Sequence, residues 1–219
     1  MGLELMWCGL LLIAAYFLGS IPTGYLLGRL LKGIDIREQG SGSTGATNVL
    51  RTLGKGPALA VLLIDALKGV AAIALVNGFY TFTEVVTLPL TWQPWLVAFA
   101  AFIAILGHSK SIWINFTGGK SVATGIGVLL AMSLPVGLGI LGIFVVMLVL
   151  SRIVSLGSLV GAIAAPVLMI LLSEPLPYQL FAGTAAVYVV WRHRSNIQRL
   201  LAGTEPQIGQ SLSQEAQSN

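Results

Sequence analysis

Charge is what this sequence has least of. Asp, Glu, Lys and Arg together supply 9% of its residues and hydrophobic types 56%, whereas a soluble domain carries about 25% charge. That shortage excludes an ordinary water-exposed surface. Cysteine is nearly missing as well. Cys8 is the only one, which excludes an intrachain disulfide and any multi-cysteine metal site. Lying in the first apolar run, it reads as a small buried hydrophobe. The sequence has 2 histidines, and neither has cysteines or a carboxylate cluster beside it, so zinc is a poor fit and no metal or cofactor is expected. The net charge is +4, but the bases are scattered over short segments. No dense basic patch interleaves with aromatics, so nucleic acid is not an expected partner.

What is present is grease broken by short polar segments. Several apolar windows approach the length needed to cross a bilayer. The opening Met1-Gly2-Leu3-Glu4 lacks the positive start of a signal peptide, so the first apolar run is expected to stay as a membrane helix. The sequence predicts an all-α polytopic membrane protein with one domain over residues 1–202 and a polar, disordered cytoplasmic tail over 203–219. About seven transmembrane helices are expected: Leu5–Leu27 (loosened or kinked at Pro22), Pro57–Val76, Pro94–Leu106, Ser121–Leu134, Pro135–Leu150, Ser155–Leu172 and Tyr178–Trp191. The fourth and fifth are short, and a re-entrant hairpin is the alternative there. Residues Asn77–Pro94 are expected to form a loop bearing Glu84 and belt tryptophans Trp92 and Trp95. Gly19, Ser20, Gly24 and Gly28 suit close helix packing. The segment Tyr25–Ile36 suits a path along the membrane interface.

Charge sets the orientation. Arg29, Lys32, Arg37, Arg51, Lys55, Lys110, Lys120, Arg152, Arg192, Arg194 and Arg199 fall on one side, while the other holds Glu4, Glu84 and Glu174 and no base. The positive-inside rule then puts the N-terminus outside and the C-terminus in the cytoplasm. Inside the second apolar run stand Asp65 and Lys68, on one helical face. An ionisable pair at that depth is either functional or a neutralised packing device, with Lys68 free to pair elsewhere in the bundle.

Three polar clusters share the cytoplasmic side. The first, Gly40–Asn48 with Arg51, combines glycines, hydroxyls and a guanidinium; tight turns of this kind aim backbone N–H groups at anions. The second runs from His108 to Thr124 and contains Gly118-Gly119-Lys120-Ser121. It lacks the spacing and the α/β setting of a nucleotide phosphate loop, yet glycines, a lysine and a following helix N-terminus share the same physics. The third, Arg192–Arg199, carries His193 and Asn196 on one helical face. Arg194 reads as an interfacial snorkelling charge. Acidic residues stand only at the margins, at Asp35 and Glu38. Such a set suits phosphate-bearing ligands rather than magnesium chemistry.

At these clusters the chain resembles the bacterial acyl-phosphate:glycerol-3-phosphate acyltransferases. The resemblance rests on Ser41-Gly42-Ser43-Thr44-Gly45-Ala46-Thr47-Asn48 with Arg51, on Gly107-His108 through Gly118-Gly119-Lys120-Ser121-Val122-Ala123-Thr124, and on His193-Arg194-Ser195-Asn196-Ile197-Gln198-Arg199-Leu200 continuing to Gly203-Thr204-Glu205-Pro206. It covers nearly the whole chain, including Gly19-Ser20-Ile21-Pro22. It departs from the family at Ser43 (usually Asn), Ser111 (Pro nearby), Thr117 (Lys), Ser121 (Gly) and Ser195 (Glu). The resemblance implies transfer of a fatty acyl group from acyl phosphate to the 1-hydroxyl of sn-glycerol 3-phosphate, giving lysophosphatidic acid and phosphate. It also implies a monomer in the inner (plasma) membrane among lipids, its active site facing the cytoplasm and coupled functionally to an acyl-phosphate-producing enzyme. By the same resemblance Ser41, Arg51, Lys120, His193 and Asn196 hold the phosphates. Gly42, Ser43, Gly45, Thr47, Asn48, His108, Gly118, Gly119 and Thr124 line or shape the substrate pocket.

Acyl phosphate is already activated, so no enzyme-bound nucleophile is needed, and Ser41 is not expected to be acylated. A histidine among phosphate anions is expected to stay protonated, which favours a substrate phosphate oxygen over His193 as the proton acceptor. The rival reading is a transporter or flippase for a phosphorylated metabolite, suggested by Asp65, Lys68 and the interrupted fourth and fifth helices.

Overall fold

The computed structural model describes residues 2–82 and 88–209 of the chain. Every regular element in that part is helical: α1 (Gly2–Ser20), α2 (Thr23–Lys32), α3 (Ala46–Leu53), α4 (Lys55–Phe82), α5 (Gln93–Ser109), α6 (Val122–Met132), α7 (Leu134–Ser151), α8 (Val154–Leu171), α9 (Leu176–Arg192) and α10 (Arg194–Leu201). Among the described residues, five segments are long and apolar enough to cross a membrane: Gly2–Lys32, Lys55–Phe82, Leu90–Ser109, Leu134–Ser151 and Val154–Leu171. α6 is apolar but shorter. At 1.5 Å per residue it reaches about 16 Å, half of the ~30 Å hydrocarbon core.

α4 lies at the centre and packs on α1, α5 and α6; α7, α8 and α9 follow side by side, and α9 returns to α5. The main core is built from small and branched residues such as Ala15, Ala72, Ile73, Val97, Ala101, Val128 and Met169. Large apolar side chains face outward instead, among them Leu59, Leu63, Leu67, Val145, Val149 and Leu150. In water that inversion would be costly; against lipid it costs nothing. Glycine makes the close helix crossings possible. A Cβ on Gly19 or Gly107 would collide with backbone across the α1–α5 contact, and one on Gly69 or Gly127 would do so between α4 and α6.

Pro22 does more than kink the first helix. The chain breaks at Ile21-Pro22 and restarts at Thr23, because proline has no N–H to give and strains the preceding turn. The carbonyls freed there find side-chain donors: Ser111 Oγ donates to Ser20 O at 2.5 Å, and Lys68 Nζ donates to Ile21 O at 3.0 Å. A second, smaller core of Ile36, Val49, Ala58 and Val61 fastens the first polar cluster to α2, α3 and α4.

Two expectations change in detail. Asn77 and Gly78 do not start a loop; α4 runs on to Phe82, since the Asn77 side chain is used by Gln93 Nε2 at 3.0 Å and its carbonyl by Thr81 Oγ1 at 2.9 Å. Glu84 lies outside the described residues. The chain beyond Gly203 does not leave the bundle at once: Ile208 N donates to Arg152 O at 2.8 Å, and Glu205 is buried against α8 and α10. Residues 210–219 of the expected tail lie outside the described part.

Candidate active site

The first cluster is held from within. Asn48 is almost wholly buried, and its Nδ2 donates to the carbonyls of Ile36, Gln39 and Ser43 at 3.0, 3.0 and 2.9 Å while its Oδ1 accepts from Ser41 N at 2.9 Å. Its hydrogen-bonding capacity is spent on the loop, so this side chain shapes the cluster rather than reaching out of it. Ser43 Oγ accepts from Gly45 N at 3.2 Å, a local turn for which the hydroxyl suffices. Ser41 and Gly42 are exposed, and Gly42 takes a left-handed conformation. Gly45 opens α3, Thr47 stands half-buried in its first turn, and Arg51 sits in its last.

The second cluster depends on His108, which is buried at the end of α5. Its carbonyl accepts from Gly119 N at 3.3 Å. A Cβ on Gly118 would strike the His108 carbonyl, and one on Gly119 would strike the ring Nε2. Here the glycines are obligatory because the loop lies directly on the histidine. Arg192 locks the loop from the third cluster, its Nη2 donating to Gly119 O at 2.8 Å and Gly118 O at 3.4 Å. Arg194 instead stacks on Trp191, 5.3 Å from the ring centre. Thr124 is buried in α6 with its carbonyl pressed on Gly69, a position in the α4–α6 contact.

Lys120 joins the second cluster to the third. Its Nζ donates to Asn196 Oδ1, while Asn196 Nδ2 donates to Glu205 Oε1 at 2.6 Å. Burial pulls the Lys120 ammonium down to about 8; Glu205 opposes that shift, while Arg199, Arg192 and Arg51 reinforce it. Arg51, from the first cluster, is therefore within electrostatic reach of Lys120. His193 Nδ1 bonds the Val189 carbonyl at 2.8 Å, which fixes the proton on Nδ1 and leaves Nε2 as an acceptor in the neutral ring. Burial lowers this ring to about 4, with the Val189 bond opposing and Lys120 assisting. In the ligand-free protein His193 is thus neutral, because desolvation acts before any phosphate arrives; the protonated histidine expected from sequence refers to the ring among bound phosphates.

Glu205 is the residue that sequence reasoning passed over. It accepts from Ser155 Oγ at 2.7 Å, Asn196 Nδ2 at 2.6 Å and Arg199 Nε at 2.7 Å. Burial pushes its carboxyl up, but these three donors outweigh it and hold the group below the ordinary value. The clusters therefore do contain an inner carboxylate. Its place in the Gly203-Thr204-Glu205-Pro206 run was the available signal.

The family departures have local explanations at three positions. Thr117 Oγ1 accepts from Arg37 Nη1 at 3.0 Å, so a guanidinium arrives where the family usually has lysine. Arg37 is also paired with Asp35 at 2.6 Å. Ser111 donates to the end of α1, which proline would not do. Ser121 sits at φ 63°, the region glycine favours, and its Oγ donates to Ile105 O at 2.9 Å. Nothing in the structure explains Ser195.

Comparisons with known proteins place the chain in a family. Residues 9–203 match the family model described as glycerol-3-phosphate acyltransferase. The chain belongs to the glycerol-3-phosphate acyltransferase family. Relatives in this acyltransferase family include proteins of Trichormus variabilis, 60% identical over 99% of each chain, and Acaryochloris marina, 62% identical over 96% of each. Among solved structures, the glycerol 3-phosphate form of PlsY, an integral membrane glycerol 3-phosphate acyltransferase, superposes with a TM-score of 0.82 at 35% identity, covering 92% of this chain and 96% of that one. The lysophosphatidic acid form of the same acyltransferase gives 0.79 at 34% identity. The fold is thus that of an integral, multi-pass membrane acyltransferase.

Proposed function

We propose that this chain transfers a fatty acyl group from acyl phosphate to the 1-hydroxyl of glycerol 3-phosphate, releasing lysophosphatidic acid and inorganic phosphate. The observation that carries the reading is the convergence of Arg51, Lys120, Arg192, His193 and Asn196, drawn from three separate segments, at one end of the bundle. Positive charge on the first and second clusters offsets the repulsion between two phosphorylated substrates and the charge that builds on the departing phosphate. The exposed Ser41 adds a hydroxyl donor. Asn48, Gly118, Gly119 and His108 act indirectly, by fixing the loops that carry those donors.

An apolar groove accounts for the lipid tail. It runs between α6, α8 and α9 along Ser121, Gly125, Gly161, Ala182, Ala185 and Val189. Its inner end is one residue from Lys120, and the wall residue Val189 is the one whose carbonyl holds His193. Followed from Val189 to Phe181 on α9, it extends about 12 Å. The rest of a long chain lies among lipids.

In the transfer step the 1-hydroxyl oxygen attacks the acyl carbonyl carbon. The bond from that carbon to the phosphate oxygen breaks, and phosphate leaves with the electron pair. A ring that titrates near 4 is a poor proton acceptor at neutral pH, whereas a phosphate monoester has a second pKa of about 6. The proton therefore goes to a substrate phosphate oxygen, and His193 Nε2 orients the hydroxyl. Holding both reactants in one pocket contributes several kcal/mol, with about 7–11 for ideal alignment.

Seven crossings, counting α6 and α9, put the basic clusters in the cytoplasm and the N-terminus outside. The deciding experiment reconstitutes the protein with acyl phosphate and glycerol 3-phosphate and runs Lys120→Ala in parallel. Lysophosphatidic acid formed by the parent, with about 100-fold less from the variant, is the expected result. Equal turnover by both would overturn the site assignment.

A further inference from the structure

The one ionic pair inside an α4 turn, among the described residues, touches more than α4. Asp65 and Lys68 are 2% and 5% exposed, and Lys68 Nζ lies 2.9 Å from Asp65 Oδ1. Two further bonds tie the pair to the break in the first span: Lys68 Nζ donates to Ile21 O at 3.0 Å, and Thr23 Oγ1 donates to Asp65 Oδ1 at 3.0 Å. The pair therefore grips the residues on both sides of Pro22. The next residue, Gly24, presses on the first polar cluster so closely that a Cβ there would collide with the Thr44 carbonyl. On its other side Asp65 Oδ1 faces His108 Nδ1 at 3.8 Å. The opposite edge of that ring, Nε2, lies against Gly119.

One buried pair thus abuts the support of the Gly40–Arg51 loop through Thr23 and Gly24, and the support of the Gly118–Lys120 loop through His108. We propose that Asp65 and Lys68 are positioning residues that fix the spacing between these two loops, and hence between the two phosphates they hold. The inference rests on the site assignment made above. It also gives a reason for ions at this depth. A buried pair brings little net stability over apolar residues of similar size, but it supplies directed contacts to the Ile21 carbonyl at the helix break and to the Thr23 hydroxyl, and places a carboxylate beside the His108 ring. Apolar packing supplies none of these.

That comparison defines the test. Asp65→Leu combined with Lys68→Met removes both charges together and leaves no unpaired ion, so the protein is expected to fold with a thermal midpoint near that of the parent. Its kcat/KM, per folded molecule in proteoliposomes, is expected to fall about 10–100-fold, since misplacement by an ångström costs about that much. Introducing His108→Gln into this background should add less than it costs alone, because both act through one contact chain. A folded double variant with parental kcat/KM would overturn the proposal. Should the double variant not fold, Thr23→Val removes one contact of the hub at constant volume and leaves the ions paired. It is expected to lower kcat/KM severalfold at unchanged unfolding temperature, and unchanged kinetics would count as refutation. Lys120→Ala in the same assay separates the levels. An inactive Lys120→Ala beside a fully active double variant rejects the spacing role alone, whereas an active Lys120→Ala rejects the site and the spacing role with it.

Discussion

Lys120 couples activity and stability to pH in opposite directions. Its ammonium titrates near 8 in the folded protein against 10.5 ordinarily, chiefly because it is buried. The protonated form binds phosphate, so kcat/KM is expected to fall as pH rises through about 8. The unfolded chain holds this proton more tightly, so folding stability gains from the same rise up to 10.5. Lys120→Arg, which keeps its proton, should move the alkaline limb of the kcat/KM profile upward by more than about one pH unit. A limb that stays in place would assign it to another group. Glu205→Ala should leave Ser155 and Asn196 without their acceptor, costing about 1–3 kcal/mol for each buried donor stranded. Thermal unfolding in detergent measures that loss, and turnover should fall with it as Asn196 loses its hold. At this scale the sequence was readable for the charged and glycine positions, whose chemistry is local. The loop bonds of Asn48 and the burial of His193 were not legible, since neither a side chain consumed by its own loop nor the desolvation of a ring can be read from spacing.

Among the elements, close approach decides most. Gly118→Ala and Gly119→Ala place a methyl against the backbone and the ring of His108 respectively. Each is expected to raise the KM for a phosphorylated substrate about tenfold or more while the helices stay assembled, the latter being read from circular dichroism. Gly19→Val should act differently. It forces α1 off Ala104 of α5, an overpacking cost of about 1–3 kcal/mol or above, and should lower the unfolding temperature before it alters KM. The helices were legible from hydropathy to within a few residues at most ends, and five segments among the described residues are long and apolar enough to cross a membrane. Breaks were harder. Pro22 announces one, yet what satisfies the freed carbonyls comes from residues 68 and 111, far away in sequence. Asn77 looked like a stop and is not, because its partner is Gln93.

For the whole molecule the outstanding prediction is sidedness. Cys8 is the only cysteine, so a Cys8→Ala background accepts single reporter cysteines. Glu174→Cys should react with an impermeant maleimide in spheroplasts, and Ser195→Cys only in inverted vesicles. Both reacting from the same side would defeat the seven-crossing arrangement. The segment after α10 carries a consequence for biogenesis. Glu205 is synthesised only after every helix among the described residues, since it follows all of them in the chain. The bond that steadies Asn196, and through it Lys120, is therefore among the last of the tertiary contacts that a growing polypeptide can make.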